Sequence, residues 1–207
     1  MADDGAPADD LEISGMQLTL RYARPDDAAD LYRIAADREV TRFFSWGPYT
    51  DETEAATYIR SLARKRAEGE RLEFVIVHPD DGVIGVTGLS EFSLRDRRAV
   101  VGTWHGRDWW GTGANRGSKT LVLAFAFRGL GLERVTAWCG DDNGRSQKAL
   151  ERLGFTHEGV LRRWHVHHGE PKDVISYSML REEWEASDLA REPVDIKGEI
   201  PVQFKPL

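Results

Sequence analysis

The sequence predicts one mixed α/β domain, built on a central, mostly antiparallel sheet flanked by helices. Three observations carry this expectation. The patterns run in the order one strand, two helices, three strands, helix, strand, helix, two strands, which is not the regular alternation of a βαβ array. Hairpin signals stand at Pro79-Asp80-Asp81-Gly82 and at His168-Gly169-Glu170-Pro171, each between strand-like runs. The 207 residues are enough for one α/β domain with a full core.

Each element has its own signal. Residues 1–15 are rich in Asp, Ala, Gly and Pro and read as a flexible acidic arm. Gln17 to Tyr22 alternates as a strand does. Pro25-Asp26-Asp27 suits a helical first turn, and Ala28, Leu31, Ile34 and Ala35 follow a 3.6-residue period. Thr50 to Thr53 caps a second helix that runs to about Glu68 and ends at Gly69. Leu72 to Val77 and Val83 to Phe92 form a hairpin, followed by a strand from Arg98 to His105. A helix from about Asn115 to Arg128 is apolar on several sides (Leu121, Val122, Leu123, Phe125, Phe127), as a buried helix is. Arg134 to Cys139 is a strand and Asn143 to Leu153 a helix. Val160 to Val166 and Val174 to Leu180 are two further strands. The domain is thus expected over 16–185, with 186–207 as a C-terminal extension of little periodicity.

Composition excludes several functions. A net charge of −7 and a pI near 5.4 argue against a general nucleic-acid binder. The local run Arg60, Arg64, Lys65, Arg66 has helical spacing and reads as a solvated face. Cys139 is the single cysteine, so no disulfide forms within one chain and a reducing compartment fits. No apolar run approaches the ~20 residues of a membrane span. The N-terminus lacks an apolar signal segment, and a cytoplasmic address follows by elimination.

The stretch Trp110-Gly111-Thr112-Gly113-Ala114-Asn115-Arg116-Gly117-Ser118-Lys119 joins a strand to the buried helix. Small residues let backbone N–H groups approach a ligand, and a helix N-terminus favours phosphate. It is no Walker A loop, because five residues separate Gly111 from Gly117 and Ser118 precedes Lys119. A dinucleotide fingerprint fails too, since Arg116 stands where its third glycine belongs. The glycines alone leave two readings open: a pyrophosphate loop, or a tight strand-to-helix connection.

Three segments read together are more specific: Trp110-Gly111-Thr112-Gly113, Asp142-Asn143-Gly144-Arg145-Ser146, and Glu151-Arg152-Leu153-Gly154-Phe155. They resemble the GNAT superfamily of N-acetyltransferases, and most closely its ribosomal-protein acetyltransferase-like (RimJ/RimL-type) branch. Phe44-Ser45-Trp46 with Pro48 and Thr50 resembles that branch's substrate-side loop. The likeness runs in order from about 17 to 184. It departs at Asn115, where the family has Gly or Ala, and at Trp110, where Gln or Arg is frequent. Asn tolerates positive φ, and neither change removes a backbone donor.

The resemblance implies a GNAT-type fold, acetyl-CoA as co-substrate, and direct acetyl transfer to a primary amine. The amine is a protein N-terminus, a lysine or a small molecule. Backbone groups of Gly111, Thr112, Gly113, Ala114, Asn115 and Arg116 would hold the pyrophosphate, and Trp104 and His105 would pair with the pantetheine arm. Asn143 would hold the cofactor or cap its helix. Ser146, three residues on, would be the general acid toward the thiolate. Glu91, His105 and His165 are the candidate bases, each also readable as an ordinary packing or surface residue. Phe44, Trp46 and Tyr49 either line an amine pocket or pack the core. Cys139 reads as a packed thiol rather than a nucleophile. His165, His167 and His168 lack a cysteine partner and lie at a hairpin turn, so no metal is expected. A non-catalytic acyl-CoA sensor on the same fold is the competing reading, and the two tails suggest a homodimer.

Overall fold

The computed structural model describes residues 10–205. Nine strands form one sheet among them, in the order β7-β8-β6-β5-β4-β3-β2-β1-β9. The strands are β1 (Glu12–Ser14), β2 (Thr19–Arg21), β3 (Arg71–His78), β4 (Gly82–Ser93), β5 (Arg98–His105), β6 (Arg134–Gly140), β7 (Thr156–His167), β8 (Glu170–Leu180) and β9 (Asp195–Lys197). Among the described residues every pairing is antiparallel except β5 with β6. The helices are α1 (Ala28–Ala35), α2 (Arg38–Thr41), α3 (Glu52–Ala67), α4 (Ala114–Ala124), α5 (Gly144–Arg152) and α6 (Arg181–Ala186).

The alternation of the strands sorts side chains to two faces. Leu72, Phe74 and Ile76 of β3 and Val101 of β5 pack under α4 in the larger core, which also takes in Leu121 to Phe127. Val75 and Val86 pack against Ala28 and Leu31 of α1 and Ala55 and Ile59 of α3. The helix α4 continues into a π turn over Phe125–Gly129, where Leu130 N–H donates to the Phe125 carbonyl at 2.9 Å. Asp27 fixes the entry to α1: it takes a bidentate ion pair from Arg21, both contacts 2.8 Å, and the Arg24 N–H at 2.7 Å.

The long elements lie where their patterns place them. The chain ends differ from expectation. Glu12–Ser14 is strand rather than arm, because Leu11 and Ile13 are fully buried in the larger core. The rest of the expected arm, 1–9, lies outside the described residues. In the expected extension, β9 pairs with β1 through Ile13 and Ile196, and Phe204 is buried against Phe92 with ring centroids 4.7 Å apart. The boundaries at 16 and 185 therefore cut through packed structure. The ordered tails that suggested a homodimer are held by each other. No helix among the described residues is long and apolar enough to cross a membrane.

Candidate active site

The one parallel pairing creates the site. β5 and β6 share three register pairs, Arg98 with Arg134, Ala99 with Val135 and Val100 with Thr136. Beyond them β5 stays with β4 while β6 stays with β8, so the two neighbours part. A cavity of about 520 Å³ fills the fork, between Val101 to His105 on one side and Ala137 to Gly140 on the other. The glycine loop and α5 close its rim. Arg116, Lys119, Arg145 and Arg152 line it, and among the described residues no carboxylate does. In a chain of net charge −7 this is a local reversal of sign that suits an anionic ligand.

The glycine loop is shaped for close approach. Gly111 and Gly113 have φ of +79° and +98°, and a methyl at either would meet open space. Thr112 Oγ1 accepts the Ala114 N–H at 3.3 Å and donates to the Trp109 carbonyl at 3.0 Å. The remaining first-turn N–H groups of α4 have no intrahelical acceptor and form the positive end of the helix dipole. Trp110 donates its indole N–H to the His105 carbonyl at 3.2 Å, and the Arg145 guanidinium stacks 3.3 Å over its ring. Room, unpaired donors and guanidinium groups together fit the phosphates of a CoA-type ligand.

Beneath the fork, α4 meets β5. His105 Nε2 lies 3.1 Å from Ser118 Oγ, and the ring also hydrogen-bonds the Ala114 backbone. Burial, with the Lys119 charge second, pushes the His105 pKa down to about 3. Lys119 is 4% exposed, and Nζ donates to Thr103 Oγ1 at 2.5 Å. The Thr103 hydroxyl in turn contacts Thr87 Oγ1 at 2.6 Å. Burial lowers the Lys119 pKa to about 7.

The opposite wall is β6 and α5. Asn143 caps α5 by accepting the Ser146 N–H on Oδ1 at 3.2 Å. Its Nδ2 has no partner among the described residues, and Asn143 lines the cavity, so the cap leaves the amide nitrogen available. Ser146 lines the cavity as well, and its hydroxyl hydrogen-bonds Cys139. Burial pushes the Cys139 thiol up to about 11, as a packed thiol requires.

Of the three candidate bases, His105 lines the cavity, while Glu91 and His165 are outside its lining. Glu91 sits in a β-bulge with φ +52°, exposed, next to Ser90, which pairs with Val100. Val100 adjoins Val101, where the cavity lining begins, and Glu91 itself is outside that lining. His105 reaches the cavity wall, buried beside Ser118 and held neutral. His165 packs on Trp138 at 5.8 Å and on His167 at 5.7 Å, outside the cavity lining. Of the substrate-side aromatics, Phe44 lines the cavity. Trp46 stacks on Phe44 at 5.0 Å and meets Tyr49 and Trp104 at 5.5 Å each, forming the wall behind it. The cationic residues Lys119, Arg145 and Arg152 were not singled out in the sequence. The signal available was a lysine next to the apolar run Leu121 to Ala124 in a helix that reads as buried.

Comparison with known proteins agrees with this architecture. The acetyltransferase (GNAT) domain matches residues 17–156. The chain is 32% identical to the uncharacterized N-acetyltransferase p20 of Bacillus licheniformis over 169 residues, 81% of this chain and 95% of that one. It is 24% identical to the ribosomal protein uS5-alanine N-acetyltransferase of Escherichia coli, covering 75% and 84%. The microcin C7 self-immunity acetyltransferase MccE, solved with acetyl-CoA and AMP, shares the fold: TM-score 0.71, 22% identity, 79% and 92% covered. GNAT-fold acetyltransferases use acetyl-CoA. With the forked sheet, the glycine loop and the family match over most of its length, the chain belongs to the GNAT family of N-acetyltransferases.

Proposed function

We propose that this protein moves an acetyl group from acetyl-CoA directly to a primary amine bound on the aromatic side of the fork. The observation that carries the reading is the cavity at the β5–β6 fork, which joins phosphate-suited features at one end to an uncharged aromatic wall at the other. Acetyl-CoA supplies an activated acyl carbon and a thiol leaving group.

The chain's own residues do the rest. The α4 N-terminus, Arg116, Arg145 and Arg152 bind the anionic end. The edge of β5 from Val101 to His105, unpaired on its β6 side, orients the arm and aims a main-chain donor at the thioester oxygen. Ser146 faces the sulfur as proton donor. Phe44, backed by Trp46 and Trp104, excludes water and receives the amine. The relative that acts on a ribosomal protein makes a protein N-terminus one substrate class, beside lysine and small amines.

The test is a thermal-shift titration with acetyl-CoA, CoA and ATP, followed by thiol release over an amine panel. Stabilisation by both CoA species but not ATP, with CoA released by at least one amine, is expected. Stabilisation without release by any amine would favour a sensor, and no stabilisation by acetyl-CoA would overturn the reading.

A further inference from the structure

Lys119 is the one buried cation of the cavity. It lies about one and a half turns beyond Ala114 on α4, on the sheet face that carries Thr103 and His105 rather than the face that carries Trp104. That is the cofactor's side of the fork, opposite the aromatic wall. Among the described residues its only hydrogen-bond partner is the Thr103 hydroxyl, a neutral group. As an ammonium Nζ has donors and no acceptor, so it donates to Thr103 Oγ1, while the Thr87 and Thr103 hydroxyls share each other and the Gly102 carbonyl as acceptors.

A buried ammonium with no counter-charge is expensive in free energy. The remaining N–H bonds of Nζ need an acceptor, and a ligand in the cavity is the group in reach. An arm entering past Ala114 and His105 and running toward the closed end of the fork at Val100 and Thr136 passes Thr103, two residues beyond His105 on β5. In CoA the arm ends in the sulfur.

We propose that Lys119 is a catalytic residue of this enzyme, whose ammonium group faces the sulfur of the bound cofactor and stabilises the CoA thiolate as it leaves. The inference rests on the acetyl-CoA reading above. The other ionisable groups facing this space are His105 of β5, Cys139 of β6, Arg116 of α4, and Arg145 and Arg152 of α5. His105 is neutral and Cys139 ionises only near 11, so neither competes in the neutral range. Burial lowers the Lys119 pKa to about 7, so its ammonium form is about half populated at pH 7 and predominates below it.

The experiment compares wild type with Lys119→Met, which keeps the length of the side chain and removes the charge. The ionisation of bound CoA is followed by the ultraviolet absorbance of its thiolate, with the acetyl-CoA complex as the blank. In wild type the bound sulfur is expected to ionise about tenfold more readily than in Lys119→Met, while both proteins bind acetyl-CoA with similar Kd. Turnover should fall at least tenfold in kcat with little change in KM for acetyl-CoA. Equal thiolate ionisation in the two proteins, or a loss confined to acetyl-CoA binding, would overturn the proposal. If wild type binds neither CoA nor acetyl-CoA, the cofactor reading is what fails. Should Lys119→Met not fold, Thr103→Val, which removes the tether on Nζ, is expected to shift thiolate ionisation in the same direction by a smaller factor. No shift in that variant would then count against the proposal.

Discussion

Asn143 serves a helix and a cavity with the two ends of one amide, its oxygen on the Ser146 N–H and its nitrogen toward the cavity. Asn143→Ala should therefore cost about 1 kcal/mol of stability through the lost cap, lowering Tm by roughly 2–4 °C. Asn143→Asp keeps the cap, so its Tm should stay near wild type. It also sets a carboxylate in a cavity lined by Arg and Lys, and calorimetry should show weaker CoA binding. Lys119 makes a second prediction. Its pKa is lowered from 10.5 to about 7, so between those values the unfolded chain holds more protons than the folded one. The destabilisation is complete below about 7 and is relieved as pH rises toward 10.5. Lys119→Met should stabilise the protein at and below neutral pH, on the order of a few kcal/mol, and the gain should shrink in alkaline buffer. Denaturant unfolding at several pH values checks this. Asn143 and Ser146 were legible in the sequence, since their spacing alone puts them on one turn of α5. The facing of Lys119 was not. It depends on Thr103, which is distant along the chain and belongs to another element.

At the level of elements, the glycine loop does through backbone what α5 does through side chains. Gly113 is left-handed at φ +98° and faces open space, so a methyl there strains the chain without meeting a neighbour. Gly113→Ala should cost about 1–2 kcal/mol in folding. By displacing the first-turn donors it should also weaken acetyl-CoA binding by about tenfold. Equal affinity for both proteins would show that the loop does not hold the ligand. The same element logic explains what the sequence showed of the fold. The two hairpins and the helices α3, α4 and α5 carry long periodic patterns. The short helices α2 and α6 span one or two turns and leave no period to read. Glu91 is harder to read for a related reason: alternation predicts a side chain's face, and a bulge with positive φ interrupts the alternation.

Across the whole molecule, charge is segregated: the net charge is −7, yet the cavity is lined by four cationic side chains. CoA affinity should fall as ionic strength rises, because the rim arginines are exposed enough to be screened. Titrations at low and high salt test this, and a salt-independent Kd would mean that the phosphates bind through backbone donors alone. The fork itself was beyond the reach of sequence, which marks strands but not which two of them will pair for three residues and then separate. The pairing of β1 with β9 carries a different consequence, for the topology of the polypeptide as a polymer. Glu12 lies opposite Lys197, and the Asp10 carbonyl stands against Gly198, so the first described residues and the segment 195–198 are neighbours. The sequence can then be read in another order without changing the object it folds into. A circular permutant, opened between His168 and Gly169 in the exposed hairpin turn and closed by a flexible linker of about ten residues, should fold and respond to CoA as the parent does. If that permutant failed to fold, the closing strands would be shown to depend on where synthesis begins.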